Sequence, residues 1–141
     1  MKILIPVDGS EQALRAVRHM LDKRDWFRDP IEIHLLNVQH PVASGAVKMF
    51  ISQTQLRDYY EDEGRAALKA ARELVQGADV AFHARVGVGD PARTIVQYAT
   101  EHGCELIALS TRGMGAVGNA LLGSVATKVV HQAHIPVLLI N

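Results

Sequence analysis

Residues 105–140 contain two continuous apolar segments separated by a glycine-rich stretch and a helical pattern: "ELIALSTRGMGAVGNALLGSVATKVVHQAHIPVLLI". The apolar segments "ELIALS" and "PVLLI" predict strands that are covered on both faces, which is typical of a parallel sheet. Between them, Val125, Val129 and Ala133 recur at helical spacing, and Pro136 prevents that helix from continuing. The stretch therefore predicts a strand, a helix and a second strand, with glycines following the first strand.

The same alternation extends back to the start of the chain. Further apolar segments predict strands at 2–7, 31–38 and 79–88, and amphipathic patterns predict helices near 10–23, 54–75 and 90–103. Ser10 and Asp90 are expected N-caps, with Pro91 at the first helical position. We therefore predict one α/β domain, residues 1–141, with a five-stranded parallel sheet and helices on both faces. Residues 39–50 are expected to form one long loop, as a flap or a partner contact.

The composition is that of an ordinary globular protein without a general electrostatic partner. The chain has 141 residues, 48% of them hydrophobic and 21% charged, and a formal net charge of zero. We therefore expect no affinity for nucleic acid or for anionic membranes. A single cysteine, Cys104, excludes an intrachain disulfide and fits a reducing compartment. With no signal-peptide pattern after Met1 and no apolar run long enough to span a bilayer, we expect a cytoplasmic protein.

The glycine-rich stretch allows several interpretations. A P-loop needs a lysine directly after its last glycine, and "GNALLGSV" has none, because Lys128 comes about one helical turn later. The segment "GMGAVG" matches a dinucleotide-binding fingerprint, but it lies in the fourth β-α unit with no second mononucleotide half after it. Backbone amides at Gly113, Gly123 and the start of the last helix could instead form an anion site. A purely structural turn is the remaining alternative.

Three segments of the chain resemble the universal stress protein family, of the universal stress protein A type: "ILIPVDGSEQA", "GDPARTIVQYA" and "GNALLGSVATKVVHQAHIPVLLI". The ATP-binding branch of this family has the pattern G-x2-G-x9-G-[ST]. Gly113, Gly123 and Ser124 match its later positions, but Ser110 stands where the first glycine should be. The resemblance implies strand order 3-2-1-4-5, an adenine nucleotide alpha hydrolase-like fold, and a homodimer built through the last strand.

The resemblance also implies a set of nucleotide contacts. They are Pro6, Val7 and Asp8 beside the adenosine, Val38 against the adenine, Leu109 and Ser110 near the ribose, and Gly113, Gly123, Ser124 and Val125 around the phosphates. Asp8 would accept a hydrogen bond from the adenine amino group or a ribose hydroxyl, or would cap a helix. Serine at position 110 permits close approach of a ligand if its φ is negative and hinders it if φ must be positive. Arg112 would either reach a phosphate or remain solvated.

We therefore predict a regulatory stress-response module that binds ATP or AMP, with or without Mg²⁺, and also contacts an unknown protein partner. No catalytic or metal-binding residue is predicted, and any ATP hydrolysis would be slow. The alternatives are an adaptor or dimerisation protein of the same family that binds no nucleotide, and a nucleotidyl- or phosphotransferase. Among the remaining residues, His34 and His83 are expected to pack or to lie at an edge, and Cys104 is expected in the core. His131 and His134 are three residues apart with no carboxylate between them, so they are not expected to bind a metal.

Overall fold

Strands and helices alternate through residues 1–42, 45–113 and 122–141, which the computed structural model describes apart from the side chain of Val47. The strands are β1 (Lys2–Pro6), β2 (Glu32–Gln39), β3 (Ala81–Val88), β4 (Leu106–Ser110) and β5 (Val137–Ile140). The helices are α1 (Glu11–Asp22), α2 (Gly45–Phe50), α3 (Gln53–Gly77), α4 (Pro91–Glu101) and α5 (Ser124–Gln132), and Arg24–Trp26 forms a short 3-10 helix. This alternation confirms the predicted α/β class.

The five strands are parallel and lie in the order β3-β2-β1-β4-β5. This is the order that the family resemblance implied. The chain proceeds outward in one direction from β1 and in the other direction from β4, and Ile3 is paired with Leu106 where these two strands meet. A crevice opens beyond the carboxyl ends of the strands at such a reversal.

Alternate side chains of the inner strands are buried on opposite faces of the sheet. Ile3 and Ile5 of β1 pack in a cluster with residues of α1 and α3, whereas Leu4 packs with residues of α4 and α5. Both faces are therefore covered by helices, which explains why the central strands are continuously apolar.

The helices begin at polar caps. Ser10 Oγ accepts a hydrogen bond from the Ala13 amide and Asp90 Oδ1 accepts one from the Arg93 amide, which confirms both predicted N-caps. A capping box that the sequence analysis did not identify begins α3, where Ser52 and Gln55 exchange backbone–side-chain hydrogen bonds. None of the described helices is both long enough and apolar enough to cross a membrane.

The prediction of one long loop at 39–50 was wrong in its second half. Residues Gly45–Phe50 form α2, in which Ala46, Lys48 and Met49 are strong helix formers. The large side chains of Met49 and Phe50 are exposed, with 84% and 88% of their surface accessible. The short helix therefore contributes little to the core. Residues 43 and 44 and residues 114–121, which include Gly115 and Gly118 of the fingerprint, lie outside the described part of the chain.

Candidate functional site

A cavity of about 380 Å³ lies beyond the carboxyl ends of β1 and β4. This volume is within the range of small-molecule pockets, roughly 300–1,000 Å³. The residues that the sequence analysis assigned to a nucleotide site all line it: Pro6, Val7, Asp8, Val38, Leu109, Ser110, Gly113, Gly123, Ser124 and Val125. The structure therefore brings together residues from four separate parts of the sequence.

The turn after β1 holds Asp8 at the mouth of this cavity. The Val7 amide donates to the Leu36 carbonyl at 2.8 Å, which continues the sheet for one residue beyond β1. Gly9 has a φ of +86°, so the chain reverses into α1 at a residue without a side chain. Asp8 Oδ1 accepts hydrogen bonds from both the amide and the hydroxyl of Ser10. Asp8 is therefore not the N-cap of α1. Ser10 is the N-cap, and Asp8 orients it.

The inner wall of the cavity is apolar. Ile95 and Leu109 are buried there, Val38 and Val125 are half-buried, and all four pack in the cluster under α4 and α5. Such a wall suits a flat, weakly hydrated group.

Asn37 is a lining residue that sequence reasoning missed. It is buried, with 3% of its surface accessible, and its Nδ2 donates to the Val7 carbonyl at 2.8 Å while its Oδ1 accepts from Gln39 Nε2. The bond ties the end of β2 to the turn that carries Asp8. A signal existed in the sequence, because Asn37 is a polar residue between apolar neighbours in the segment "LLNV" at the end of a predicted strand.

Hydrogen bonds at Ser110 and Thr111 fix the start of the glycine-rich stretch, and the one to Thr111 ties it to Gly123. Ser110 Oγ donates to the Arg112 carbonyl at 2.7 Å, and the Thr111 carbonyl accepts from the Gly123 amide. Thr111 Oγ1 also donates to Asn141 Oδ1 at 2.7 Å. Among the described residues Asp79 is the one non-glycine residue with positive φ, so Ser110 has the negative φ that tolerates a side chain.

Gly113 occupies a position where the backbone approaches a carboxylate closely. A Cβ atom added there would lie 2.5 Å from Asp8 Oδ2, well inside van der Waals contact. A Cβ atom added to Gly123 would meet the Thr111 carbonyl oxygen at 3.4 Å, which is an ordinary contact. The close approach of Asp8 therefore explains why position 113 is a glycine. The contacts around position 123 do not require a glycine in the same way.

The first turn of α5 lines the cavity, and its backbone amide groups are available as hydrogen-bond donors there. Gly123 is the N-cap, with a φ of −69° and no side-chain hydrogen bond to the helix, whereas Ser10 and Asp90 cap α1 and α4. Thr127 donates to the Gly123 carbonyl, so the amides of Ser124 to Ala126 precede the first intrahelical bond. These donors and the positive end of the helix dipole favour an anionic group. Arg112, which is exposed, adds a positive charge at the rim, and the exposed His40 also lines the cavity.

A model of the universal stress protein family matches residues 1–141. The chain belongs to this family. This universal stress protein is 31% identical over 141 residues to universal stress protein MJ0531 of Methanocaldococcus jannaschii, and the match covers 99% of the chain and 81% of the relative. Its fold is similar to that of UspA from Lactobacillus plantarum, with a TM-score of 0.82, 25% identity, and coverage of 100% and 97% of the two chains.

A second solved structure shares the fold and carries a ligand. It is a universal stress protein family protein from Arabidopsis thaliana with AMP bound, with a TM-score of 0.70, 22% identity, and coverage of 99% of this chain and 90% of that one. At this identity the likeness concerns the fold alone.

Cys104, His34, His131 and His134 are not among the described residues that line the cavity. Cys104 is buried, and burial raises the pKa of its thiol to about 11, so it is a core residue, as predicted. His131 and His134 are exposed, and His34 is buried on β2. Among the described residues that line the cavity, none is a lysine.

Proposed function

We propose that this universal stress protein is a regulatory module that binds an adenine nucleotide, ATP or AMP, in the cavity beyond β1 and β4. The adenine would lie against Val38 and the apolar wall, and the ribose near Leu109 and Ser110. The phosphates would accept hydrogen bonds from the backbone around Gly113 and Gly123 and from Ser124 and Val125 in the first turn of α5.

The observation that carries this proposal is the pairing of an apolar wall with an uncapped helix N-terminus in one cavity. Adenine needs an apolar slot and phosphate needs fixed hydrogen-bond donors, and the residues that line this one cavity include both. The AMP held by the Arabidopsis protein of the same fold supports the choice of ligand.

The negative charge of the Asp8 carboxylate would influence which form of the nucleotide binds. Its carboxylate lies beside Gly113, in the part of the cavity assigned to phosphate, where it would repel a bare phosphate. Mg²⁺ takes carboxylate, phosphate and water oxygens together, so the Asp8 carboxylate fits a Mg²⁺–nucleotide complex. In AMP binding without metal, Asp8 would instead accept from a ribose hydroxyl or the adenine amino group.

The module would act by changing its conformation and its contact surface when nucleotide binds, rather than by rapid hydrolysis of ATP. The P-loop lysine is lacking in the sequence, so any ATP hydrolysis would be slow. We further propose a cytoplasmic homodimer joined at β5, an unknown protein partner, and no role for nucleic acid or membrane. The exposed side chain of Leu138 on the edge strand β5 supports the dimer proposal.

Isothermal titration with ATP and with AMP, each with and without Mg²⁺, tests the function. We expect saturable binding at one site per chain for wild type, and its loss in Gly123→Val, whose side chain would crowd the phosphate donors. Valine is a poorer N-cap than glycine, by about 1 kcal/mol, so the variant should remain folded.

Gly77→Val is the matched control. Gly77 ends α3, and a Cβ atom there would meet nothing within 4 Å. This variant should bind nucleotide as wild type does. Absence of binding to wild type at millimolar nucleotide would contradict the proposal.

The alternative is an adaptor protein that binds no nucleotide, and the observation that favours it is Ser110 in place of the first glycine of the pattern. In that case a protein partner would be retained equally by wild type and by Gly123→Val. Rapid multiple-turnover consumption of ATP by the pure protein would instead indicate a transferase or hydrolase.

A further inference from the structure

A second cluster of polar side chains lies at the other end of the sheet, where β2 begins. Glu32 and His34 are two residues apart on β2, so their side chains share one face of the strand. His83 of the neighbouring strand β3 is paired in register with His34. His83 is far from Glu32 and His34 in the sequence, and the strand register brings it beside them.

The three side chains converge on one point. Glu32 Oε1 lies 2.9 Å from His34 Nε2 and 3.4 Å from His83 Nε2, and one ligand atom from each residue lies within 4.8 Å of the others. Ligands arranged tetrahedrally around zinc, at about 2.0–2.1 Å from the metal, are separated from each other by roughly 3.3 Å. The two distances from Glu32 Oε1 are therefore close to the ligand–ligand separation in a zinc coordination shell.

Two side chains outside the cluster hold the buried histidine in place. The other ring nitrogen of His34, Nδ1, lies 3.0 Å from the Tyr98 hydroxyl. Tyr98 is in turn stacked on His102, with ring centroids 3.8 Å apart and planes 12° apart. A histidine that binds a metal through one nitrogen usually makes a hydrogen bond through the other, which fixes the ring and its tautomer.

We propose that Glu32 Oε1, His34 Nε2 and His83 Nε2 form a binding site for Zn²⁺ or a similar divalent transition metal. Two imidazoles and a carboxylate are a ligand set that zinc accepts, with water at the remaining position. When zinc occupies His34 Nε2, the ring proton is on Nδ1 and is donated to the Tyr98 oxygen.

The surroundings allow a metal to enter from solvent. The side chain of His34 is only 4% exposed, but those of Glu32 and His83 are 32% and 59% exposed. The Lys2 ammonium lies 4.0 Å from the same Glu32 oxygen. The Lys2 side chain is 44% exposed, so it can turn to water when a cation binds.

This metal site would be separate from the nucleotide cavity. Glu32 is at the amino end of β2 and Val38 is near its carboxyl end, which separates them by roughly 20 Å of extended strand. Mutations at one site should therefore leave the other intact. The metal proposal does not rest on the proposed nucleotide function.

Zinc titration of the full-length, nucleotide-free protein in competition with a chromophoric chelator tests the site. We expect one Zn²⁺ per chain in wild type and at least a tenfold loss of affinity in His83→Ala and in Glu32→Gln. His83 is exposed, so its replacement should not impair folding, and circular dichroism with thermal unfolding checks this. Added zinc should raise the Tm of wild type and not that of His83→Ala.

The double variant His131→Ala/His134→Ala is the matched control, because it removes two exposed histidines at another place. It should bind zinc as wild type does. Tyr98→Phe keeps the ring and removes the hydroxyl, so it should weaken zinc binding about 10–100-fold through the positioning of His34. No saturable binding to wild type, unchanged affinity in His83→Ala, or loss of binding in the control variant would overturn the proposal.

Discussion

The Asp8 carboxylate lies so close to the backbone of Gly113 that a side chain at position 113 would displace it. An alanine Cβ would lie 2.5 Å from Asp8 Oδ2, while Asp8 Oδ1 is held by the amide and hydroxyl of Ser10. Gly113→Ala should therefore turn the carboxylate away and weaken these hydrogen bonds, at a cost of about 1 kcal/mol for each bond lost. Urea unfolding measures the stability, and AMP titration should show weaker binding.

Gly77→Ala is the control for this prediction, because its added Cβ meets nothing within 4 Å and lies in the helix α3. It should be as stable as wild type or more stable, by up to about 1 kcal/mol. Equal stability and equal AMP affinity in Gly113→Ala and wild type would show that the Asp8 contact has no energetic weight.

The thiol of Cys104 provides a second test at a single residue. Burial raises its pKa to about 11, and 5% of the residue's surface is accessible, so very little reactive thiolate is present near neutral pH. Iodoacetamide at pH 8 should therefore modify the folded protein slowly and the denatured protein rapidly, as measured by intact mass. Equal rates in both states would contradict a core position for Cys104.

At the scale of the helix, α3 shows how packing selects a face. Leu68 is buried, with 2% of its surface accessible, whereas Leu74 is half-buried. Leu68→Ala should cost about 2–5 kcal/mol of unfolding free energy, because it leaves a cavity in the core. Leu74→Ala should cost less, and the urea midpoints of the two variants test the difference. A larger loss for Leu74→Ala than for Leu68→Ala would contradict the burial of these two residues in the structure.

The sequence was most informative for elements with strong local signals. Continuous apolar segments predicted the strands, and Ser10 and Asp90 predicted two helix starts, because caps and strand patterning depend on neighbouring residues. The amphipathic pattern predicted α3, but its contacts with the sheet decide that Leu68 and Val75 are buried and that Leu74 is only half-buried. The short helix α2 was missed for lack of a core-facing pattern.

The candidate site was predictable in its residues but not in its contacts. Asp8, Ser110 and Gly113 were identified through the family resemblance, yet the bonds from Ser10 to Asp8 and from Ser110 to the Arg112 carbonyl depend on how two separate turns meet. Asn37 and the Glu32–His34–His83 cluster depend on tertiary contact and strand register, which a single sequence does not reveal. Local chemistry was therefore easier to predict than the pairing of distant residues.

At the scale of the whole molecule, the sheet has two edge strands, β3 and β5, and either could in principle pair with a second chain. We expect the dimer to form at β5, so Leu138→Lys, which places a charge on that edge, should shift the protein toward monomer in sedimentation velocity. Val88→Lys on the other edge is the matched control, because Val88 is 47% exposed and Leu138 is 37% exposed. The control should remain dimeric. If Val88→Lys dissociated the dimer while Leu138→Lys did not, the interface would lie at β3. His83, the proposed zinc ligand on β3, would then be on the strand that contacts the partner chain.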